Sequence, residues 1–392
     1  MKDFTFLQSP EITAIWIFVL SFAVCYLAMP SIIYVVRQRN LMDNPNERSS
    51  HSQKTPTMGG IAFYISLIFT LFFIGKYDIN YTGINIVSGV SIMFFLGLKD
   101  DLTGVNPSTK IVAQIVATFI LLLFGTELRI YSLSGFLWFD EISFWFSMLF
   151  SCFVVMTIVN SFNLIDGING SAAMVGIVIF ACFGYVFYQS EDMYYFLFSV
   201  LCIGFLFAFL RYNLSSKKKI FMGDTGSMVV GFIIGVLALK FLSLSSTDLE
   251  KAYINPLNKI WVLLAIVFIP FFDTTRVFIA RTIRDGKPFK ADRNHIHHVM
   301  IDYMTLSHGR ASLLLATINL VIFLIVMFLN TIFSPIHLFA SIFLIFIGLV
   351  ITLFYFNRSY ITRKSKHKIR KILNSSGLNK INKKQKHSGK AG

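Results

Sequence analysis

Three short polar islands interrupt a sequence that is otherwise a succession of apolar runs: Lys99-Asp100-Asp101, Asn160 to Gly170, and Phe221 to Ser227. Unpaired amides and carboxylates are costly inside lipid and persist where they bind something polar. Asn163 and Asp166 are three residues apart, so on a helical turn they share a face. Gly167 and Gly170 beside them permit close backbone approach. Hard oxygen donors of this kind suit Mg²⁺, which is commonly held by one or two carboxylates together with substrate phosphates. A helix cap followed by a turn would use the same residues without a ligand, and Asn160 is the member best suited to capping. Asp100 and Asp101 close an apolar run. Adjacent carboxylates there share a cation or a proton, and a helix C-terminus is an unfavourable place for them on dipole grounds alone. Lys110, at the entry to the next run, is either a topology anchor or a phosphate contact. In Met222-Gly223-Asp224-Thr225-Gly226-Ser227 the glycines and serine resemble an anion-binding helix start. Asp224 would repel a phosphate there unless a divalent ion stood between them. Phe221 could stack on a planar base or face core and lipid.

Two further segments carry chemistry. Three histidines, His295, His297 and His298, follow Ala291-Asp292-Arg293. The spacing is not that of a closed zinc site and no cysteine is near. With Arg281 and Arg293 these residues suit phosphates or sugar hydroxyls. The stretch Asp43-x-Pro45-x-x-Arg48-x-x-His51-x-x-Lys54-Thr55-Pro56-Thr57-Met58-Gly59-Gly60 reads, taken alone, as a loop leading into a helix. Cys25, Cys152, Cys182 and Cys202 all fall in apolar runs and read as small buried hydrophobes.

The elements that must position these groups are membrane spans. Of the 392 residues 55 % are hydrophobic and only 14 % charged, where a soluble globule carries about 25 % charge. A span needs roughly 20 apolar residues. About eleven runs approach that length, near 11–36, 57–75, 83–98, 110–125, 142–159, 171–188, 194–211, 227–245, 257–276, 310–330 and 337–356. The fold class expected is an all-α polytopic membrane protein. It comprises one integral-membrane domain over 1–362 and a basic cytoplasmic tail over 363–392, disordered or loosely helical on anionic lipid. Thr126 to Glu141 alternates apolar residues around Gly135, which predicts a small hairpin.

The formal charge of +15 is distributed by topology. With the N-terminus outside, the lysines and arginines fall in the inside segments except for Lys2, Lys76, Arg129, Lys240, Lys251 and Lys259. This positive-inside asymmetry puts the C-terminus and all three polar islands on the cytoplasmic side. It also argues against nucleic acid as the reason for the basic charge. A transporter or lipid flippase would carry charged residues midway along its spans and often an internal repeat. Here the acidic groups sit at span ends, and no repeat is visible.

Taken in order, the five segments resemble the polyprenyl-phosphate N-acetylhexosamine-1-phosphate transferase family. The segments are DxPxxRxxH…TPxxGG, the DD at the end of the third span, NxxNxxDGxxG, FMGDxGS and PFxADRxHIHH. Together they cover about residues 37–310 and look closest to the WecA/TagO-like branch. The resemblance implies a bacterial cytoplasmic-membrane enzyme that passes an N-acetylhexosamine-1-phosphate, most simply GlcNAc-1-phosphate, from a UDP-sugar to undecaprenyl phosphate. UMP is released, and a cell-envelope glycan begins on its lipid carrier. It implies Mg²⁺, with Mn²⁺ as a substitute, held by Asn163 and Asp224. Asp100 and Asp101 would deprotonate or orient the lipid phosphate, and Asp166 would belong to the same pocket. Lys54, Lys110 and Arg293 would neutralise diphosphate charge, Phe221 would stack on uracil, and Asp292, His295, His297 and His298 would line the sugar and phosphate pocket. Partners are the two substrates and membrane lipid, with room for a homodimer. The segment after Asp101 lacks the third acidic residue of many relatives. Thr57 stands where an arginine is common in the WecA branch, and TPTMGG reads like MraY. The alternative is therefore a phospho-MurNAc-pentapeptide transferase, against which the HIHH segment argues for a smaller sugar.

Overall fold

The computed structural model describes residues 9–43, 54–136, 139–286, 295–302 and 304–375. Fourteen α-helices are found there: α1 (Pro10–Gln38), α2 (Gly60–Ile74), α3 (Thr82–Thr103), α4 (Pro107–Phe124), α5 (Phe144–Ile165), α6 (Ser171–Gln189), α7 (Met193–Asn213), α8 (Gly223–Ser243), α9 (Ser246–Lys251), α10 (Lys259–Ile266), α11 (Phe268–Asp285), α12 (Ile296–Asp302), α13 (His308–Asn330) and α14 (Pro335–Ser375). Ten helices are long and apolar enough to cross a membrane, and eleven spans result if one bent pair counts as a single crossing. The chain is thus an all-α multi-pass membrane protein.

Local sequence accounts for many of the helix starts. Ser9 accepts a hydrogen bond from Ile12 N ahead of Pro10, and Asp192 accepts one from Tyr195 N; these are ordinary N-caps. Pro107 opens α4, a position where its missing N–H costs nothing. The expected hairpin is present. β3 (Ser132–Phe136) pairs antiparallel with β4 (Phe139–Glu141). A second small pairing joins β1 (Met42–Asp43) to β2 (Thr55–Pro56).

The bundle is organised around α8. Its apolar window is 94 % buried, against 17 % for α14, the pattern of a helix that is hydrophobic all round because protein surrounds it. α3 and α5 pack on it directly. α1, α2 and α7 form a second group held by buried hydroxyls. Ser21 Oγ donates to Leu201 O at 2.7 Å and Ser66 Oγ to Ser21 O at 2.8 Å.

Three departures from the sequence reading matter for the site. The run near 257–276 is not one straight span, because α10 and α11 meet at 75° around Val267. Pro270 removes the amide that would have bonded to Ile266 O. Buried Asn319 of α13 satisfies the freed groups, donating to Ile266 O at 2.9 Å and accepting from Ile269 N at 2.9 Å. The polar islands are also more helical than their composition suggests. α5 runs through Asn160 and Asn163 to Ile165, and α8 begins at Gly223 rather than 227. Asn160 is consequently no cap. It lies within α5, donating to Met156 O at 2.7 Å and to Gln114 Oε1 of α4 at 2.9 Å. Separately, α14 continues as helix to Ser375. No proline or glycine interrupts residues 357–375. Residues 376–392 lie outside the described residues.

Candidate active site

The three islands converge at one end of the bundle. α3 ends there with Asp100 and Asp101, α4 starts there with Lys110, α5 ends with Asn163 and Asp166, and α8 starts with Asp224. Lys110 Nζ forms an ion pair with Asp100 and lies 3.4 Å from Asp224 Oδ2. Asn163 Nδ2 donates to Asp224 Oδ1 at 2.5 Å and to Ser227 Oγ at 2.7 Å. Asp100 Oδ1 accepts from Val105 N at 2.7 Å, tying the α3–α4 turn to the same carboxylate.

Asp101 does something different from its neighbour. Its Oδ1 accepts from Asp224 N at 2.9 Å, and its Oδ2 accepts from Thr225 N at 3.0 Å and Thr225 Oγ1 at 2.5 Å. It caps α8 from another helix. The first amides of α8 are thereby taken by the protein's own anion. This corrects the expectation that they form an open phosphate site. Gly223 makes the contact possible. Its φ is +71°, and a Cβ would stand 2.5 Å from Asp101 Oδ2.

The segment 56–60 joins the same end. Phe221 N donates to Pro56 O at 2.8 Å, Gly59 N to Phe221 O at 3.0 Å and Gly60 N to Met222 O at 3.1 Å. A Cβ on Gly60 would strike the backbone of Gly226. The TPxxGG and FMGD stretches, far apart in sequence, are therefore one structural unit. Phe221 is half-buried with Lys219 Nζ 4.9 Å from its ring centre. Burial pulls the Lys219 ammonium below its usual range.

Asp166 follows α5. Among the described residues its carboxyl has no hydrogen-bond or ion-pair partner. Desolvation, then the charges of Asp224 and Asp101, hold it well above the usual carboxylate range. The turn after it is fixed from three sides. Gly170 N donates to Asn213 Oδ1 at 2.5 Å, Asn169 N to His308 Nδ1 at 3.3 Å, and Ser312 Oγ to Asn169 O at 2.8 Å. His297 closes the other side: a Cβ on Gly167 would collide with its imidazole. His297 is buried, and among the described residues its Nδ1 has no hydrogen-bond partner. Burial and then His298 lower it to about 3, so it is neutral. His295 and His298 are buried beside it.

Of the sequence-predicted residues, Asp100, Asp101, Lys110, Asn163 and Asp224 meet directly, Asp166 feels the charges of Asp224 and Asp101 without bonding to them, and His297 reaches Gly167 next to Asp166. Lys54 is exposed at the start of β2. Asp292 and Arg293 lie outside the described residues, as do Pro45, Arg48 and His51. Gln114, Thr225, Ser227 and Asn213 escaped the sequence reading. Each supports a motif residue from a neutral side chain whose partner is distant in sequence. Ser227 and Thr225 were at least inside a motif.

The profile of glycosyl transferase family 4 matches residues 83–242, a span that contains Asp100, Asp101, Lys110, Asn163, Asp166, Phe221 and Asp224. Over that span the chain resembles glycosyl transferase family 4. Similar proteins include the undecaprenyl-phosphate alpha-N-acetylglucosaminyl 1-phosphate transferase of Escherichia coli K12. That protein is 26 % identical over 272 residues, covering 68 % of this chain and 71 % of that protein. The decaprenyl-phosphate N-acetylglucosaminephosphotransferase of Mycolicibacterium smegmatis is 28 % identical over 293 residues, 69 % of this chain and 71 % of that one. A probable undecaprenyl-phosphate N-acetylglucosaminyl 1-phosphate transferase of Bacillus subtilis is 27 % identical over 305 residues, 78 % and 81 %. The matched region ends at α8, so the histidine segment stands outside it.

The donors of the site are hard oxygens: the carboxylates of Asp224, Asp100 and Asp166 and the amide of Asn163. Among the described residues no three carboxylate, imidazole or thiol groups come close enough to enclose an ion by themselves. That combination fits a hard divalent cation completed by substrate phosphates better than a closed structural metal.

Proposed function

We propose that this chain transfers GlcNAc-1-phosphate from UDP-GlcNAc to a polyprenyl phosphate, releases UMP and so starts a cell-envelope glycan on a lipid carrier. The observation that carries the reading is the Lys110 bridge between Asp100 and Asp224, set beside Asn163 where four spans end. It brings charge-neutralising and oxygen-donor groups to a membrane edge. A water-soluble sugar nucleotide and a lipid-tethered phosphate can meet only at such an edge. The names of the relatives supply the sugar and the carrier.

The reaction forms a bond from a lipid-phosphate oxygen to the β-phosphorus of the donor and breaks the bond to the bridging oxygen, which leaves with UMP. The attacking oxygen is already anionic, so catalysis needs mainly positioning and charge neutralisation. Lys110 supplies the positive charge. Asp101 positions the start of α8 and, with it, Asp224. Asp166, whose carboxyl has no partner among the described residues, orients the incoming phosphate. His297, neutral and with a buried nitrogen that has no partner among the described residues, contacts the donor's phosphate or sugar. Phe221 offers a face to the uracil. Mg²⁺, held by Asp224 and Asn163, would neutralise charge on the departing phosphate. The distribution of lysine and arginine supports a cytoplasmic-membrane enzyme with this end of the bundle facing the cytoplasm.

The test is purified protein with undecaprenyl phosphate, Mg²⁺ and a panel of UDP-sugars, scored for UMP. UDP-GlcNAc should be turned over. Turnover of UDP-MurNAc-pentapeptide alone, or of none of the panel by a well-folded sample, would overturn the reading.

A further inference from the structure

Asp273 belongs to none of the acidic islands, yet it is a fully buried carboxylate. It lies on α11, shortly after the 75° break. Its Oδ2 is 2.8 Å from His295 Nδ1, and its Oδ1 accepts from Ile296 N at 2.8 Å and from Arg276 Nη2 at 2.9 Å. One carboxylate thus caps the start of α12 and holds the first histidine of the HIHH segment. The tautomer follows from the other side of the ring. Arg281 Nη2 is 3.3 Å from His295 Nε2. A guanidinium can only donate, so Nε2 accepts and Nδ1 carries the hydrogen given to Asp273.

The fixed ring passes its orientation on. His295 and His297 lie near-parallel, 5.7 Å between centres with 7° between planes, and His298 is 4.3 Å from His297. His297 then rests on Gly167, next to Asp166. We infer that Asp273 is a positioning residue: through His295 it sets the tautomer and tilt of the histidine turn and seats His297 on the Asp166-Gly167 turn. It touches no substrate. The break between α10 and α11 contributes by bringing Asp273 to this end of the bundle. The activity consequence rests on the proposed transferase reading; the contact itself does not.

The test is a double-mutant cycle on the full chain in detergent with Mg²⁺, undecaprenyl phosphate and UDP-GlcNAc. Asp273→Asn keeps an acceptor for Ile296 N but cannot serve both His295 and Arg276. It should lower kcat/KM for the nucleotide sugar about 10- to 100-fold, the scale of lost outer partners. His295→Ala should cost about the same, and the double variant no more than the worse single one. Losses that multiply would show that Asp273 acts independently of His295 and would overturn the inference. A second measurement needs no turnover. ¹⁵N-histidine NMR of the unmodified protein, with His295→Gln for assignment, should show His295 as the Nδ1–H tautomer. An Nε2–H tautomer would sink the proposal. If the unmodified protein releases no UMP while His295 is Nδ1–H, the transferase reading has failed and the Asp273 contact stands.

Discussion

Asp101 and Thr225 are 124 residues apart in sequence and form a cap that ties one helix to the start of another. One carboxylate oxygen accepts both the backbone N–H of Thr225, at 3.0 Å, and its hydroxyl, at 2.5 Å. The second of the two adjacent aspartates is therefore committed to holding α8, while Asp100 faces Lys110. Asp101→Ala should destabilise the protein by about 1–2 kcal/mol, the upper part of the range for a lost helix cap, and should also lower activity by displacing Asp224. Asp101→Asn should recover part of the stability. Denaturant or thermal unfolding in detergent measures this, and an Ala variant as stable as the parent would contradict the assignment.

Asp224 carries a different expectation, because its side chain meets Lys110 and Asn163 rather than a helix end. Asp224→Asn should leave the unfolding temperature nearly unchanged and lower Mg²⁺-dependent UMP release by about 10²–10³-fold, the cost of losing one well-placed electrostatic group. Retention of full activity would remove Asp224 from the proposed metal site.

Gly60→Ala tests the packing of the loop against α8. The added methyl would meet the Gly226 backbone, which cannot rotate away as a side chain could. A loss of about 1–3 kcal/mol is expected from overpacking, with activity falling alongside it because the start of α8 moves. Unfolding curves that superimpose on the parent's would show that the two backbones are not in contact.

The carboxyl of Asp166 is raised above its ordinary value, and the sign of its linkage follows. A carboxyl that binds its proton more tightly in the folded state penalises folding once it must ionise. The penalty is absent below the unfolded value of about 3.9 and grows as pH rises towards and through the raised folded value. Asp166→Asn should therefore be more stable than the parent at neutral pH without Mg²⁺, the gain vanishing in acid, while UMP release is lost. Unfolding midpoints across pH measure the difference. A variant less stable than the parent at neutral pH would reverse the sign and refute it.

Much of this molecule is legible in its residue order. Apolar runs of span length are local features, and nearly all reappear as helices within a few residues. The hairpin between α4 and α5 follows from alternation around Gly135. The acidic islands announce themselves because a carboxylate among apolar residues at a membrane edge demands a partner, and the family resemblance rests on those same residues. Where the reading stops is equally physical. Asn160 looks like a cap until the structure shows α5 continuing past it and Gln114 facing it. Residues near 257–276 read as one span because hydropathy is blind to Pro270 and to the buried Asn319 that satisfies the broken backbone. Composition alone could not divide the labour between Asp100 and Asp101, since consecutive residues on a helix point about 100° apart and only the neighbours decide what each meets. Asp273 was one more polar residue near a span end until α11 turned it towards His295. The sequence by itself determined which segments cross the membrane and which residues are too costly to bury without a purpose. Tertiary structure decided who partners whom, because hydrogen bonds and ion pairs act over a few ångströms and most of these partners lie tens of residues or more apart along the chain.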